Sequence, residues 1–200
     1  PYFFCYHFST YQVAKPEGFD RQTAESWETG DQMAEDAPEV NVIFVMNEAF
    51  SDLTNYDVFT YSEEDDPLKT FNALCESENA LSGHIVVPGF AGGTANTEFD
   101  VLTGMQTNAL NPAATSASAF RCVNRNLDSV FRLFTDEGYH TTFLHPGDAW
   151  FYNRENVYQW LGAQDILFAE DFQDSQSKGR WVTDETVARN LIDRYEDSMA

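Results

Sequence analysis

Ile85-Val86-Val87-Pro88-Gly89-Phe90-Ala91-Gly92-Gly93-Thr94 joins a β-branched apolar run to a glycine-rich turn, and its reading decides the fold. Residues 85–87, bounded by Gly83 and by Pro88-Gly89, have the character of a short strand buried on both faces. Residues 95–102 read as a helix opened by Thr94. A strand that feeds a turn and then a helix is the repeating unit of a mainly parallel α/β sheet.

The same alternation extends in both directions. Upstream, Val42-Ile43-Phe44-Val45-Met46 is a continuous apolar run that predicts another buried strand. Downstream, Thr141-Thr142-Phe143-Leu144 predicts a third. Ahead of it, Leu127, Val130, Phe131 and Phe134 follow i, i+3, i+4, i+7 spacing, with Asn126 as the expected N-cap and Gly138 as terminator. A last helix is expected from about Asp184 onward, capped by Thr183. Asp184 and Glu185 favour its positive end, and Ala188, Leu191, Ile192 and Tyr195 form its expected apolar stripe. Residues 1–39 are irregular and acid-rich in their second half, with a helical tendency around residues 22–33, and read as an arm leading into a domain over 40–200.

Composition narrows the function classes. The 200 residues are 42% hydrophobic and 15% aromatic, as expected of a folded domain rather than a disordered tail. Asp and Glu outnumber Lys and Arg 33 to 11, for a net charge of −22. Such a surface opposes nucleic acid and anionic membranes, because each phosphate contact needs a cation. An anionic small substrate requires a metal ion or a few local cations to reverse the field at one point. Cys5, Cys75 and Cys122 form neither a C-x-x-C pair nor an even disulfide set. No apolar run reaches the ~20 residues that span a bilayer.

In open α/β sheets, ligands bind at the carboxyl ends of the strands. Three polar positions stand there: Glu48 after the first run, Thr94 after the second and His145 after the third. Glu48 suits a divalent cation through oxygen, or is a solvated loop acid. Thr94 follows two glycines at a helix start, where free N–H groups favour phosphate. It is either an activated nucleophile or simply an N-cap. His145 suits donation to a phosphoryl oxygen or protonation of a leaving alkoxide, or is a strand-end histidine bonded to backbone. Trp150, Tyr152 and Arg154 form an aromatic and guanidinium cluster suited to a phosphate with a glycerol or sugar face, or to pinning a surface loop.

These segments resemble lipoteichoic-acid-synthase-like proteins of the sulfatase family, in the alkaline phosphatase superfamily. Asn41-Val42-Ile43-Phe44-Val45-Met46-Asn47-Glu48-Ala49-Phe50-Ser51-Asp52 is similar to their first metal-ligand segment. Gly92-Gly93-Thr94-Ala95-Asn96-Thr97-Glu98-Phe99-Asp100-Val101-Leu102-Thr103-Gly104 is similar to their nucleophile segment, and His145-Pro146 through Trp150-Phe151-Tyr152-Asn153-Arg154 to their headgroup segment. The three blocks fall in family order and cover about residue 40 to the end.

The resemblance implies an α/β/α sandwich, incomplete in this chain, and transfer of glycerol phosphate from a phosphatidylglycerol-type lipid to a glycerophosphate polymer. The setting it implies is the outer face of a bacterial cell membrane, reached through membrane segments absent from these 200 residues. Glu48 and Thr94 would hold a divalent metal, manganese first and magnesium as the alternative. Thr94 would be the nucleophile, and His145, Trp150, Tyr152 and Arg154 would hold the substrate. The family's later Asp-His ligand pair has no counterpart, since no His follows His145. The chain alone is therefore expected to bind metal poorly and to turn over nothing. Formylglycine-dependent sulfate hydrolysis is disfavoured, because Thr94-Ala95-Asn96-Thr97-Glu98 offers neither Cys nor Ser for the conversion. Phosphoethanolamine transfer, phosphodiester hydrolysis and a non-catalytic binding module remain alternatives.

Overall fold

The computed structural model describes Gly18, Asp20, residues 22–23, 40–47, 50–52, 59–83, 85, 87, 93–107 and 119–199. Described residues up to 87 from residue 40 belong to one compact unit, and those from 93 onward to another. In the first, helix α1 (Lys69–Cys75) follows the buried Leu68, whose amide donates to Asp66 Oδ1 at 2.8 Å. Phe71 of α1 meets the ring of Phe50 at 4.8 Å between centroids.

Two expected strands do not form a ladder among the described residues. Val42-Ile43-Phe44-Val45-Met46 lies outside regular structure with every side chain exposed, and Ile85 and Val87 likewise, Ile85 at 85%. The apolar, β-branched character was read correctly, but a strand exists only as half of a hydrogen-bonded pair. A linear pattern names no partner.

From residue 93 onward, the first element of the other unit is α2 (Thr94–Thr103). Gly93 stands at its N-cap and Gly104, in the left-handed region at φ 68°, closes it by donating to Asp100 O at 2.9 Å. Thr94 is thus the first helical residue and not the cap. The helix buries Ala95, Asn96, Thr97, Glu98 and Phe99. Ala95 and Phe99 join Phe120, Val123, Val157, Tyr158 and Leu161 in the core. Asn96 Oδ1 accepts from Ala119 N at 2.6 Å, which satisfies a buried amide oxygen, and the partly buried Asp100 carboxylate accepts from Thr107 N at 2.7 Å.

Helix α3 (Val130–Asp136) is the one read from the 127–134 spacing, but its cap is Ser129 and not Asn126. Ser129 Oγ accepts from Arg132 N at 3.3 Å and donates to the carbonyl of Leu161, so one hydroxyl serves two helix ends. Leu127 precedes the helix, its amide donating to Trp160 O at 3.2 Å. Gly138 at φ 88° ends α3 as the sequence predicts.

Strand β1 (Thr142–Leu144) matches the third expected strand. It pairs in parallel with β2 (Asp165–Leu167), register Thr142↔Asp165, Phe143↔Ile166, Leu144↔Leu167. The crossover contains α4 (Arg154–Leu161), ended by Gly162 at φ 92°. This βαβ unit is the parallel α/β architecture the alternation implied. β2 went unread because three residues with two apolar positions carry no period. A hairpin of β3 (Ser177–Lys178) and β4 (Trp181–Val182) leads to α5 (Asp184–Ser198).

Thr183 caps α5 as read, its Oγ1 accepting from Thr186 N at 3.3 Å. The expected apolar stripe is displaced. Ile192 and Tyr195 are 54% and 41% exposed and Ala188 is exposed, while Thr186 and Asn190 are buried. Polar atoms win because Asn190 exchanges two bonds with the Gln173 backbone, at 2.9 and 3.1 Å, and Thr186 Oγ1 accepts from Gln176 N at 3.0 Å. The helix thereby ties down the loop at residues 173–176 through that loop's own backbone groups.

Candidate active site

Glu48 lies outside the described residues. The remaining residues singled out from sequence (Thr94, His145, Trp150, Tyr152 and Arg154) all belong to the second unit. Thr94 is partly buried on the first turn of α2, where the Asn96 and Thr97 amides donate to Gly93 O at 2.8 and 3.4 Å. One turn further on, roughly 6 Å along the axis, Glu98 lies on the same face of α2.

Glu98 was not singled out from sequence, yet it organises the site. Arg154 Nε donates to Glu98 Oε2 at 3.1 Å and Nη2 to Oε1 at 2.5 Å. Only 2% and 8% of the two side chains is exposed. Tyr158 Oη donates to Oε2 at 2.8 Å. Burial first, then the charge of Glu98, push the Tyr158 hydroxyl well above its ordinary pKa, so it stays a donor. A bidentate, buried pair of this kind is strongly geometric, and removing one partner leaves an uncompensated charge. The i, i+4 offset from Thr94 was the available signal, but a helical offset says nothing of what faces it across 56 residues.

Arg154 is therefore held beneath the surface instead of standing free at an open rim. Its Nη1 also leans on Phe151 O at 3.4 Å, and its guanidinium lies 5.0 Å from the Tyr152 ring centroid. Tyr152 and Asn153, at φ 58° and 60°, occupy the left-handed region. For a tyrosine that backbone costs about 1–2 kcal/mol, and such strain gathers at ligand sites. The turn carries Tyr152 inward against the core and leaves Trp150 outside at 73% exposure.

His145 stands at the carboxyl end of β1, its amide extending the ladder to Leu167 O at 2.9 Å. Gly147 N donates to its Nδ1 at 3.0 Å, so the ring proton sits on Nε2. Burial, and then the Arg154 charge, lower its pKa from 6.5 to about 4, against an opposing pull from Glu98. At neutral pH His145 is a neutral donor through Nε2. Gly147 is a second residue the sequence reading missed. A Cβ there would lie 2.8 Å from His145 Cε1, so only glycine lets the ring occupy this place.

Of the oxygen donors read for a divalent cation, the described residues supply Thr94. Among them no group of three or more His, Cys, Asp or Glu is placed to hold a metal. One hydroxyl alone does not make a divalent site, which takes four to eight donors. Cys75 and Cys122 are free thiols. No helix among the described residues is long and apolar enough to cross a membrane.

Residues 40–198 match the sulfatase family, and the chain belongs to it. Enzymes of this family and of the wider alkaline phosphatase superfamily are typically hydrolases and transferases. A protein from Rhizobium meliloti (strain 1021), described as "Putative cyclic beta-1,2-glucan modification protein", is 31% identical over 160 residues, 78% of this chain and 24% of its own length. Two solved structures overlap 56% of the chain: the lipoteichoic acid synthase LtaP from Listeria monocytogenes, at 24% identity and TM-score 0.49, and a protein in the alkaline phosphatase superfamily from Vibrio parahaemolyticus, at 20% and 0.45. The chain spans about a quarter of the length of each of these three relatives.

Proposed function

We propose that the intact protein is a phosphoglycerol transferase with Thr94 as its nucleophile. The reading rests above all on Thr94 opening α2 directly after Gly93, one turn from the carboxylate that grips Arg154 of the headgroup segment. Thr94 Oγ attacks the phosphorus of a phosphatidylglycerol-type diester. The bond from phosphorus to the diacylglycerol oxygen breaks, the departing alkoxide takes up the proton lost from the Thr94 hydroxyl, and a glycerophosphoryl-threonine forms. An acceptor hydroxyl then attacks the same phosphorus, the P–Oγ bond breaks and Thr94 is regenerated.

His145 donates from Nε2 to a phosphoryl oxygen as charge develops there. Its depressed pKa leaves it uncharged at pH 7, which favours this role over protonation of the leaving group. Arg154, buried in the grip of Glu98, contributes its positive charge from beneath the surface, while Tyr152 and Trp150 supply faces for the glycerol. A divalent ion held by Glu48 and Thr94 together with donors outside this chain, manganese by preference over magnesium, would acidify the threonine hydroxyl.

For the acceptor, the relative named for modifying a cyclic glucan favours a carbohydrate hydroxyl over a glycerophosphate polymer. The chemistry at Thr94 is the same for both. Thr94→Ala in the intact protein is expected to lower diester turnover at least about 10³-fold, because a missing nucleophile has no substitute. Unchanged turnover would leave a binding module as the better reading.

A further inference from the structure

We infer that Glu98 is a positioning residue of the transfer site, acting through Arg154. The inference rests on the transferase reading above and adds to it a residue that touches no substrate. Glu98 is nearly buried, one turn from Thr94 on the same helix, and receives three hydrogen bonds: two from Arg154 and one from Tyr158. These bonds tie the nucleophile's helix to the start of α4 and so to the turn immediately before it.

That turn is the strained one. Tyr152 and Asn153 sit in the left-handed region, and Arg154, the next residue, starts α4. A strained backbone persists only where its surroundings over-determine it. Here the fixed point is the Glu98 carboxylate, which binds the side-on Nε/Nη2 edge of the guanidinium. The same grip fixes where the buried Arg154 charge stands relative to the site and to His145. Without Glu98, Arg154 keeps its charge but loses its orientation, and Tyr152 loses the cation 5.0 Å beneath its ring.

The test uses the intact protein, Mn2+ and bis(p-nitrophenyl) phosphate, with thermal melting to show that each variant is folded. Glu98→Gln is expected to raise KM about tenfold with a smaller fall in kcat. Combined with Arg154→Lys it is expected to add almost nothing to the effect of Arg154→Lys alone, since the two act as one unit. A folded Glu98→Gln with the parent's KM and kcat, or effects that multiply independently, would overturn the inference. If Glu98→Gln does not fold, Tyr158→Phe decides. It leaves the ion pair intact and is expected to raise KM about threefold with kcat unchanged, and the parent's KM would overturn the inference. Loss of activity in Thr94→Ala with Glu98→Gln at the parent's level sinks this inference alone. Equal rates for the parent and Thr94→Ala sink the transferase reading as well.

Discussion

At the scale of single residues, the imidazole of His145 gives a pH signature. Its folded pKa, about 4, lies below the 6.5 of the unfolded chain, so between these values the unfolded state binds more protons. This contribution to stability is fully present above pH 6.5 and is lost as pH falls toward 4. It amounts to roughly 2 kcal/mol once partial exposure of the ring is allowed for. Turnover governed by His145 is expected to stay flat from pH 8 to 6 and to change below about 5, where a proton on Nδ1 breaks the bond from Gly147 N–H that holds the ring; a kcat/KM profile that bends near 6.5 instead would mean the ring titrates as an ordinary histidine. Gly147 offers a second test of the same atom. Gly147→Ala puts a methyl against Cε1 and is expected to lower kcat/KM about tenfold with little change in melting temperature. Parent-like kinetics would show that the ring's place is immaterial.

Among the elements, the caps separate what a sequence reveals from what it hides. Thr183 and Gly138 were legible because a helix boundary is a local event, written in residues that touch their own backbone. Asn126 was the wrong choice for α3 because the winning cap, Ser129, is also selected by a carbonyl 32 residues away. Ser129→Ala is expected to cost about 1–2 kcal/mol in chemical denaturation, and Asn126→Ala less than about 0.5. The reverse order would restore the sequence-based assignment. The displaced face of α5 has the same origin: its spacing predicted Ile192 and Tyr195 inside, but the loop at residues 173–176 claimed the inward face for Asn190 and Thr186. β1 was legible from its own residues, whereas the partnering of residues 42–46 was never in the string at all.

For the whole molecule, the α/β class was readable from the alternation that became the β1–α4–β2 unit, and residues 40–198 match the sulfatase family that the segments resemble. The clamp on Arg154 was not readable, since it joins residues 56 apart whose identities, a glutamate and an arginine, are commonplace. On the proposed reading, in which a protein of net charge −22 takes an anionic diester, local devices of this kind are what reverse the field. They matter only if Thr94 makes the covalent bond. The most direct measurement is peptide-level mass spectrometry of the intact protein, quenched after exposure to Mn2+ and phosphatidylglycerol vesicles. A glycerophosphoryl group on the peptide carrying Thr94, absent in Thr94→Ala, is the expected result; turnover without any adduct on Thr94, or an adduct on another side chain, would contradict the account.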